Sequence, residues 1–555
     1  MQHSYQQPIS NKTLWTILFA FLAIAIISYI PALEVPFYLD DRESIQINQA
    51  VQSDSLDALI DGPNRMRIIG YMSFWLNYQM SGLETASYHW TSLIIHLVNF
   101  LLVFGFCKIL LNHFYPKDNG AKWALIVACI WLIHPLNSQA VIYIVQRLAS
   151  IAAIFYLLAA ISYIRLRQST SKASLIFWTL VFVASTLGGL HSKQNFVAVF
   201  VFLFCWELFT ARALVRHYLL LFTVSCFGLL LLISPFISQW WELIDQFTRD
   251  PNAPSRVEYF YTQSIVLWQY ISKVVLPWPL QLEIDVVLQK SFSGLVLVAL
   301  TGHILILTLA YRLRQKLPLV LVGVLFFYCS HIIESSFIPI KDLAFEHRTY
   351  IGNIGLLLAL AALLRHGVMN VQLGWLNRVH MPALAVISIT FCVMLFSRAT
   401  LWQDPLAFYA NEVEQSPGHA RANYSYGNEL LIVGKPAQAE VHLRKGFETD
   451  ISNQKISASG LSAYIMSLYQ QEKYQTGAQV VMLGLEYVKW PLPRSALLTN
   501  AAYGYIKMGY CDFALGLLRQ AVKLNPANKD ARGNINYCLA QMNKAARQNN
   551  TQQGN

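Results

Sequence analysis

Residues 14–42 read LWTILFAFLAIAIISYIPALEVPFYLDDR, an apolar run that ends in two adjacent carboxylates, Asp40 and Asp41. Residues 14–31 are long enough to cross a bilayer as a helix, which takes about 20 apolar residues. Carboxylates at a membrane boundary are costly to desolvate and indicate a functional site. The alternative interpretation is the solvated start of a loop.

The composition extends this pattern to most of the chain. Of 555 residues, 55% are hydrophobic and 13% are charged, whereas soluble domains carry about 25% charged residues. The sequence therefore predicts an all-α, polytopic membrane protein. Eleven spans are predicted, near residues 14–31, 90–112, 123–139, 141–164, 173–190, 194–211, 217–237, 294–311, 317–336, 349–365 and 380–397.

Two shorter apolar stretches are interrupted by cations. Residues 66–80 contain Arg67, and residues 260–280 contain Lys273. A cation inside a short apolar stretch favours a helix that lies in the membrane interface, or a re-entrant one, over a span.

The basic residues predict the orientation, because short cytoplasmic loops are enriched in Lys and Arg. With the N-terminus in the cytoplasm, alternate loops are basic and cytoplasmic: Lys117 and Lys122; Arg165, Arg167 and Lys172; Arg212 and Arg216; Arg312, Arg314 and Lys316; Arg365 and Arg378. The net charge of +11 then needs no nucleic-acid partner. The same count places these polar residues outside: Asp40, Asp41, His134, Lys193, Glu346, His347 and Arg348.

The polar C-terminal part, 401–545, has the spacing of a tetratricopeptide-repeat α-solenoid. Small residues recur at the offsets of that repeat, where paired helices cross closely. They are Gly427, Gly434, Ala439 and Gly446 in one unit, and Ala502, Gly509, Ala514 and Ala521, followed by Pro526, in a later one; a weaker middle unit has Tyr469, Ala478 and Leu485. Such arrays bind peptides or proteins, and a generic array of helical hairpins is the alternative. Residues 546–555 are expected to form a disordered tail.

The predicted outer turn 134–140 (HPLNSQA) lies between two spans. Pro135 is expected to end the incoming helix, and Asn137 or Ser138 to cap the next one. Arg147 follows about two turns inside that helix, where it needs an anionic partner. Either a ligand or a carboxylate of another span meets this need.

Two further outer segments carry charged residues. Lys193 lies in the turn 191–195 (HSKQN), where it either extends to water or binds a phosphate. The segment 334–348 ends in Glu346-His347-Arg348 at the start of a span. A helix N-terminus favours an anion and Arg348 could clamp it, although a solvated loop cap is the alternative.

Together these groups suit transfer from a phosphate leaving group to a hydroxyl. Asp40 or Asp41 would take the proton of the hydroxyl, with Glu346 as the other acidic candidate. The groups expected to bind the phosphate are Lys193, Arg348, Arg147, His134 and His347.

No cofactor follows from the residues, and participation of a divalent cation stays open. The eight cysteines show no CxxC or Cys/His ligand spacing, so structural zinc is not expected. The sequence does not decide whether Cys511 and Cys538 pair.

Five stretches, in order, resemble the transmembrane and tetratricopeptide-repeat O-mannosyltransferases and their bacterial relatives. They are 38–48 (YLDDRESIQIN), 134–147, 192–193, 259–286 and 334–350. The resemblance implies a membrane domain of the GT-C glycosyltransferase type over 1–400. It also implies an inverting transfer of a sugar from a polyprenyl-phosphate-linked donor to Ser or Thr hydroxyls.

Within this resemblance the first outer loop carries the catalytic carboxylate, which matches Asp40 and Asp41 and slightly favours Asp40. The chain departs from the family pattern at Lys193-Gln194, where Lys-Glu is common, and at Arg67-Ile68, where Arg-Pro is common. The resemblance suggests a bacterial inner-membrane enzyme with its repeats in the periplasm or outside. Its partners would be a lipid-linked sugar and an exported polypeptide, for example a pilin.

Two other functions stay open. One is a glycosyltransferase with a lipid or glycan acceptor, and the other is a non-enzymatic assembly platform or transporter. The clustering of polar groups at one face argues against a transporter, which places ionisable residues near the midplane. Repeats on the same face as the site favour a polypeptide acceptor over a lipid.

Overall fold

The structure is a computed structural model, and it describes residues 10–116, 120–211, 254–369, 374–453 and 456–553. Within these ranges the chain forms helices and no strands, which confirms the predicted all-α class. The chain divides into two compact units, Met1–Gln403 and Asp404–Asn555.

The first unit consists of long apolar helices separated by short polar segments. Its α-helices are α1 Asn11–Tyr29, α2 Asp57–Ile60, α3 Ile68–Ser81, α4 Thr85–Phe114, α5 Ala121–Leu132, α6 Ser138–Ile142, α7 Arg147–Gln168, α8 Lys172–Leu190, α9 Ala198–Thr210, α10 Arg256–Val275, α11 Gly294–Leu313, α12 Pro318–His331, α13 Thr349–Met369 and α14 Gly374–Leu401.

Seven helical segments are long and apolar enough to cross a membrane. They are Asn11–Glu34, Thr85–Phe114, Ile144–Gln168, Lys172–Leu190, Gly294–Leu313, Glu346–Met369 and Trp375–Leu401. Each coincides with a predicted span, so the chain is a multi-pass membrane protein. Two further predicted spans correspond to the shorter apolar helices Gln194–Thr210 and Pro318–His331. The predicted span 217–237, together with Lys117, Arg212 and Arg216, lies outside the described residues.

The predicted span 123–139 is bent. Its two halves, Ala121–Leu132 and Pro135–Ile142, meet at an angle of 55°. His134 between them is extended, with φ −68° and ψ 121°, because the residue before a proline is disfavoured in the helical region. The expected cap is also different, since the side chain of His134, not that of Asn137 or Ser138, accepts from the Leu136 amide.

The two stretches interrupted by cations form α3 and α10, and neither qualifies as a span by length and composition. A capping box starts α10: the Ser255 side chain accepts from the Glu258 amide, and the Glu258 side chain accepts from the Ser255 amide. This arrangement satisfies two backbone donors that a helix start leaves unpaired.

The second unit is a succession of antiparallel helices. They are α15 Pro405–Gln415, α16 Ala420–Ile432, α17 Pro436–Ser452, α18 Ala458–Tyr469, α19 Tyr474–Leu485, α20 Pro491–Lys507, α21 Cys511–Leu524 and α22 Lys529–Gln553. The three predicted repeat units coincide with the pairs α16–α17, α18–α19 and α20–α21. Leu443, Leu461 and Leu518 are fully buried in a shared apolar core.

The turn inside each pair needs a residue with positive φ. Gly434 and Gly509 occupy it in the first and last pairs, with φ of 74° and 87°. Glycine adopts this conformation without steric cost. In the middle pair Glu472 occupies the turn with φ 60°, which is consistent with the weaker repeat pattern there. Helix α22 continues to Gln553, so it extends into the 546–555 segment predicted as a disordered tail.

Candidate functional site

The segments that connect the apolar helices contact one another in the first unit. Asp40 and Asp41 bond to the segment that precedes α7, and the backbone and ring of His347 bond to Gln139. Lys193 pairs with Glu334. The predicted site residues other than Arg147 therefore lie on one connected set of segments. These segments, residues 36–47, 134–146, 191–196 and 334–348, are called here the loop assembly.

Asp41 joins two of these segments. Its side chain is 1% exposed; Oδ1 accepts from the Val145 amide at 2.7 Å and Oδ2 from the Tyr38 amide at 3.0 Å. Burial raises the pKa of Asp41 to about 7; the two amide donors oppose the rise and Asp40 adds to it. Both carboxylate oxygens therefore accept hydrogen bonds from backbone amides of two different segments.

Asp40 differs from its neighbour in being exposed to solvent. Its amide donates to the hydroxyl of Tyr143 at 3.0 Å, which fixes the backbone at this position. The preceding residue, Leu39, has φ 36°, a conformation that costs a non-glycine residue energy and is often found at functional sites. This turn places the two adjacent aspartates in different environments, with Asp40 exposed and Asp41 buried.

Arg147 is fully buried and stands at the first residue of α7, not two turns inside it. Its guanidinium donates to Ser92 Oγ, Asn77 Oδ1 and the Tyr88 carbonyl at 3.1, 2.7 and 2.6 Å. These acceptors are neutral and come from α3 and α4. The side chain therefore fastens these helices together, which leaves its donors engaged without a phosphate.

The two predicted histidines are buried and hydrogen bonded. His134 Nε2 donates to the Val274 carbonyl at 3.0 Å and Nδ1 accepts from the Leu136 amide at 3.3 Å. Both ring nitrogens are thus engaged, which requires the neutral form. His347 Nδ1 donates to Gln139 Oε1 at 3.0 Å.

Glu346 is fully buried in an ion-pair network. Its carboxylate lies 2.8 Å from Arg398 and 3.5 Å from Lys273, and it accepts from the Gln281 amide at 2.7 Å. Neither Arg398 nor Lys273 was expected from the sequence to be a partner of Glu346. The sequence held one indication of this network: Lys273 and Arg398 lie in apolar segments, where a cation needs an anionic partner.

Lys193 and Arg348 lie around one carboxylate. Lys193 Nζ is 3.2 Å from Glu334 Oε1, and Arg348 donates to the Asp342 carbonyl at 2.8 Å and to the Leu343 carbonyl at 3.1 Å. Burial acts to raise the pKa of Glu334, but Lys193 and Arg348 outweigh it and lower that pKa. Glu334 is therefore ionised at neutral pH.

Arg67 is a third cation of this group, and sequence analysis did not assign it a role. Its Nε and Nη2 both donate to Gln194 Oε1, at 3.1 and 2.9 Å. Burial lowers the pKa of Lys193, Glu334 opposes this effect, and Arg348 and Arg67 lower the pKa further. All three cations are therefore close enough to interact. Arg67, Lys193, Glu334 and Arg348, together with Asp342 beside Arg348, are called the cation cluster.

Metal ligation finds no support in the described ranges, which contain no group of three or more His, Cys, Asp or Glu side chains placed to hold an ion.

No family model matches the chain. Individual proteins do: it is 24% identical over 469 residues to a protein O-mannosyl-transferase of Caenorhabditis elegans, an alignment covering 78% of this chain and 62% of that protein. A human protein O-mannosyl-transferase is 24% identical over 435 residues, covering 67% of this chain and 46% of the relative. The chain is thus related to the protein O-mannosyl-transferases.

The relationship confirms the resemblance that the five sequence stretches predict. A Drosophila melanogaster protein O-mannosyl-transferase is 29% identical over 178 residues, or 30% of this chain and 20% of the relative. The aligned part of each of these relatives is less than two thirds of its length, so their activity is carried to this chain only as a proposal.

Proposed function

We propose that this chain is a membrane glycosyltransferase that transfers a sugar from a polyprenyl-phosphate-linked donor to Ser or Thr hydroxyls of exported proteins. The observation that carries the proposal is the loop assembly, where the exposed Asp40 and the cations Lys193 and Arg348 lie on connected segments of one unit. Arg67 donates hydrogen bonds to one of these segments. Its relatives that are named protein O-mannosyl-transferases support the reaction class.

The reaction needs a base for the acceptor hydroxyl. A base must be within reach of the proton it removes, and Asp40 is exposed whereas Asp41 and Glu346 are buried and hold other groups. Asp40 therefore takes the proton as the hydroxyl oxygen attacks the anomeric carbon. Asp41 positions Asp40 by accepting hydrogen bonds from the Tyr38 amide of its own segment and from the Val145 amide of the segment before α7.

The reaction also needs neutralisation of the leaving group. As the bond between the anomeric carbon and the phosphate oxygen breaks, negative charge grows on the lipid phosphate. Cations fixed before the reaction stabilise such charge most effectively. Lys193 and Arg348 fill this role. Arg147 is fully buried with all three guanidinium nitrogens donating to groups of α3 and α4, and both ring nitrogens of His134 are engaged. Attack opposite the leaving group inverts the anomeric configuration.

The acceptor is proposed to be a polypeptide, because the second unit has helix pairs at the spacing of a repeat that binds peptides. The positions of the basic loops support an orientation with the site on the extracytoplasmic side. In a bacterium this side would be the periplasmic face of the inner membrane, where exported proteins such as pilins are encountered.

The test is glycopeptide and intact-mass analysis of exported proteins from cells with the chain, without it, and with Asp40→Asn at matched expression. Asn keeps the shape of Asp but cannot take the proton, so modification is expected to fall by about 10²–10⁴-fold. Asp61→Asn is the matched control, because Asp61 is exposed outside the loop assembly. Exported proteins that carry identical sugars with and without the chain would refute the proposal.

A further inference from the structure

The charge of the cation cluster depends on the residue that holds Arg67. Lys193 and Arg348 face Glu334, Asp342 lies beside Arg348, and Arg67 lies close enough to Lys193 to interact with it. The formal charges of these three cations and two carboxylates sum to one positive charge. Arg67 contributes to it in full because the group it bonds to, Gln194, is a neutral amide.

We infer that Arg67, held by the neutral side chain of Gln194, is a further phosphate-binding residue. Because Gln194 leaves the charge of Arg67 uncancelled, the cluster binds the doubly charged lipid monophosphate released in the reaction more strongly than the singly charged donor. This inference rests on the proposed function and names a part of the same site. Gln194 is a positioning residue: it fixes the guanidinium through two hydrogen bonds without cancelling its charge.

The charge change of the reaction explains why one unit of charge matters. The donor is a phosphodiester with one negative charge. When the acceptor oxygen bonds to the anomeric carbon, the carbon–oxygen bond to phosphate breaks and its electron pair leaves with the lipid phosphate. The hydroxyl proton goes to Asp40, and the leaving group is a dianionic monoester. A positive cluster therefore binds the leaving group more strongly than the donor, and such differential binding accelerates the chemical step.

A carboxylate at position 194 would pair with Arg67 and bring the balance of the cluster to zero. At the effective dielectric constant of about 20 near a protein surface, a unit charge about 12 Å from a ligand changes the affinity about tenfold, and a closer charge changes it more. The effect scales with ligand charge, so it is larger for the dianionic lipid phosphate than for the donor.

The experiment measures binding of a short polyprenyl monophosphate to the purified full-length chain in detergent, and donor turnover by the same samples. We compare the wild type with Gln194→Glu, Gln194→Met and, as a matched charge change in the second unit, Gln470→Glu. Gln470 is exposed at the end of α18. Inorganic phosphate as a competitor distinguishes recognition of the phosphate alone from recognition of the lipid phosphate.

We expect Gln194→Glu to weaken monophosphate binding about tenfold and to lower kcat more than it raises the donor KM. Gln194→Met should have a smaller effect, and Gln470→Glu none. If Gln194 had only a structural role, Gln194→Met would weaken binding more than Gln194→Glu. This is because Glu would strengthen the contact to Arg67 whereas Met would remove it. Equal binding by the wild type and Gln194→Glu, or a larger loss in Gln194→Met, overturns the inference.

The same data separate this inference from the proposed function. A wild type that binds no lipid monophosphate and turns over no lipid-linked donor contradicts the proposed function itself. A wild type that binds and turns over the lipid, with Gln194→Glu unchanged, leaves the function intact and refutes the role of Arg67 and Gln194.

Discussion

Replacement of Asp41 by Asn tests whether this carboxylate holds the loop assembly together. The carboxylate accepts from two backbone amides that are 107 residues apart in sequence, Tyr38 at 3.0 Å and Val145 at 2.7 Å. An Asn side chain offers one oxygen and one NH₂ group. One of the two amides must then lose its acceptor in a site that is 1% exposed.

Because that amide is buried, the loss of its acceptor lowers the free energy of unfolding. A buried donor left without a partner costs about 1–3 kcal/mol. For a cooperative unit of about 400 residues, the entropy of unfolding per residue converts this loss to a fall of about 1–4 °C in the unfolding midpoint. The substitution is therefore expected to reduce stability measurably without preventing insertion.

The assay is thermal unfolding of the purified chain in one detergent at one heating rate, because membrane proteins often unfold irreversibly and the midpoint then depends on rate. Asp61→Asn supplies the same chemical change at an exposed position and should leave the midpoint unchanged. Glycosylation per folded molecule is measured in parallel. An unchanged midpoint together with lost activity would refute the structural role and make Asp41 a chemical participant.

Two further predictions concern other residues. Glu346→Gln removes the buried carboxylate that pairs with Arg398 at 2.8 Å, and breaking a buried pair costs about 3–5 kcal/mol. The yield of folded protein should fall, and normal yield with abolished turnover would instead identify a catalytic carboxylate. Glu472→Gly relieves a positive φ worth about 0.5–1 kcal/mol, so hydrogen exchange in α18 and α19 should slow about two- to fivefold. Glu486→Gly, at a helical φ of −64°, should not slow it.

The apolar helices could be predicted from sequence because their length and composition are local properties. Seven predicted spans coincide with helices long enough to cross. The bend at His134 and the start of α7 at Arg147 were harder to predict. They depend on Pro135 and on how neighbouring segments pack. The mean hydropathy of a stretch of residues registers neither of these.

The sequence offered both Asp40 and Asp41 as candidate bases. The structural difference between them depends on the amide of Val145, 104 residues from Asp41, which no local pattern reveals. Arg67 and Gln194 are 127 residues apart, so no local pattern joins them. The cation inside the apolar stretch 66–80 was a usable indication, because such a residue needs a polar partner.

The carboxylates of the loop assembly can be assigned by comparing how deeply they are buried. Asp41 and Glu346 hold amides and cations from distant segments, so their removal should first lower stability. Asp40 is exposed, so its removal should lower turnover while stability stays normal. The three variants therefore make one joint test. If Asp40→Asn also lowers the unfolding midpoint by as much as Asp41→Asn, both aspartates are structural and the hydroxyl proton must go elsewhere.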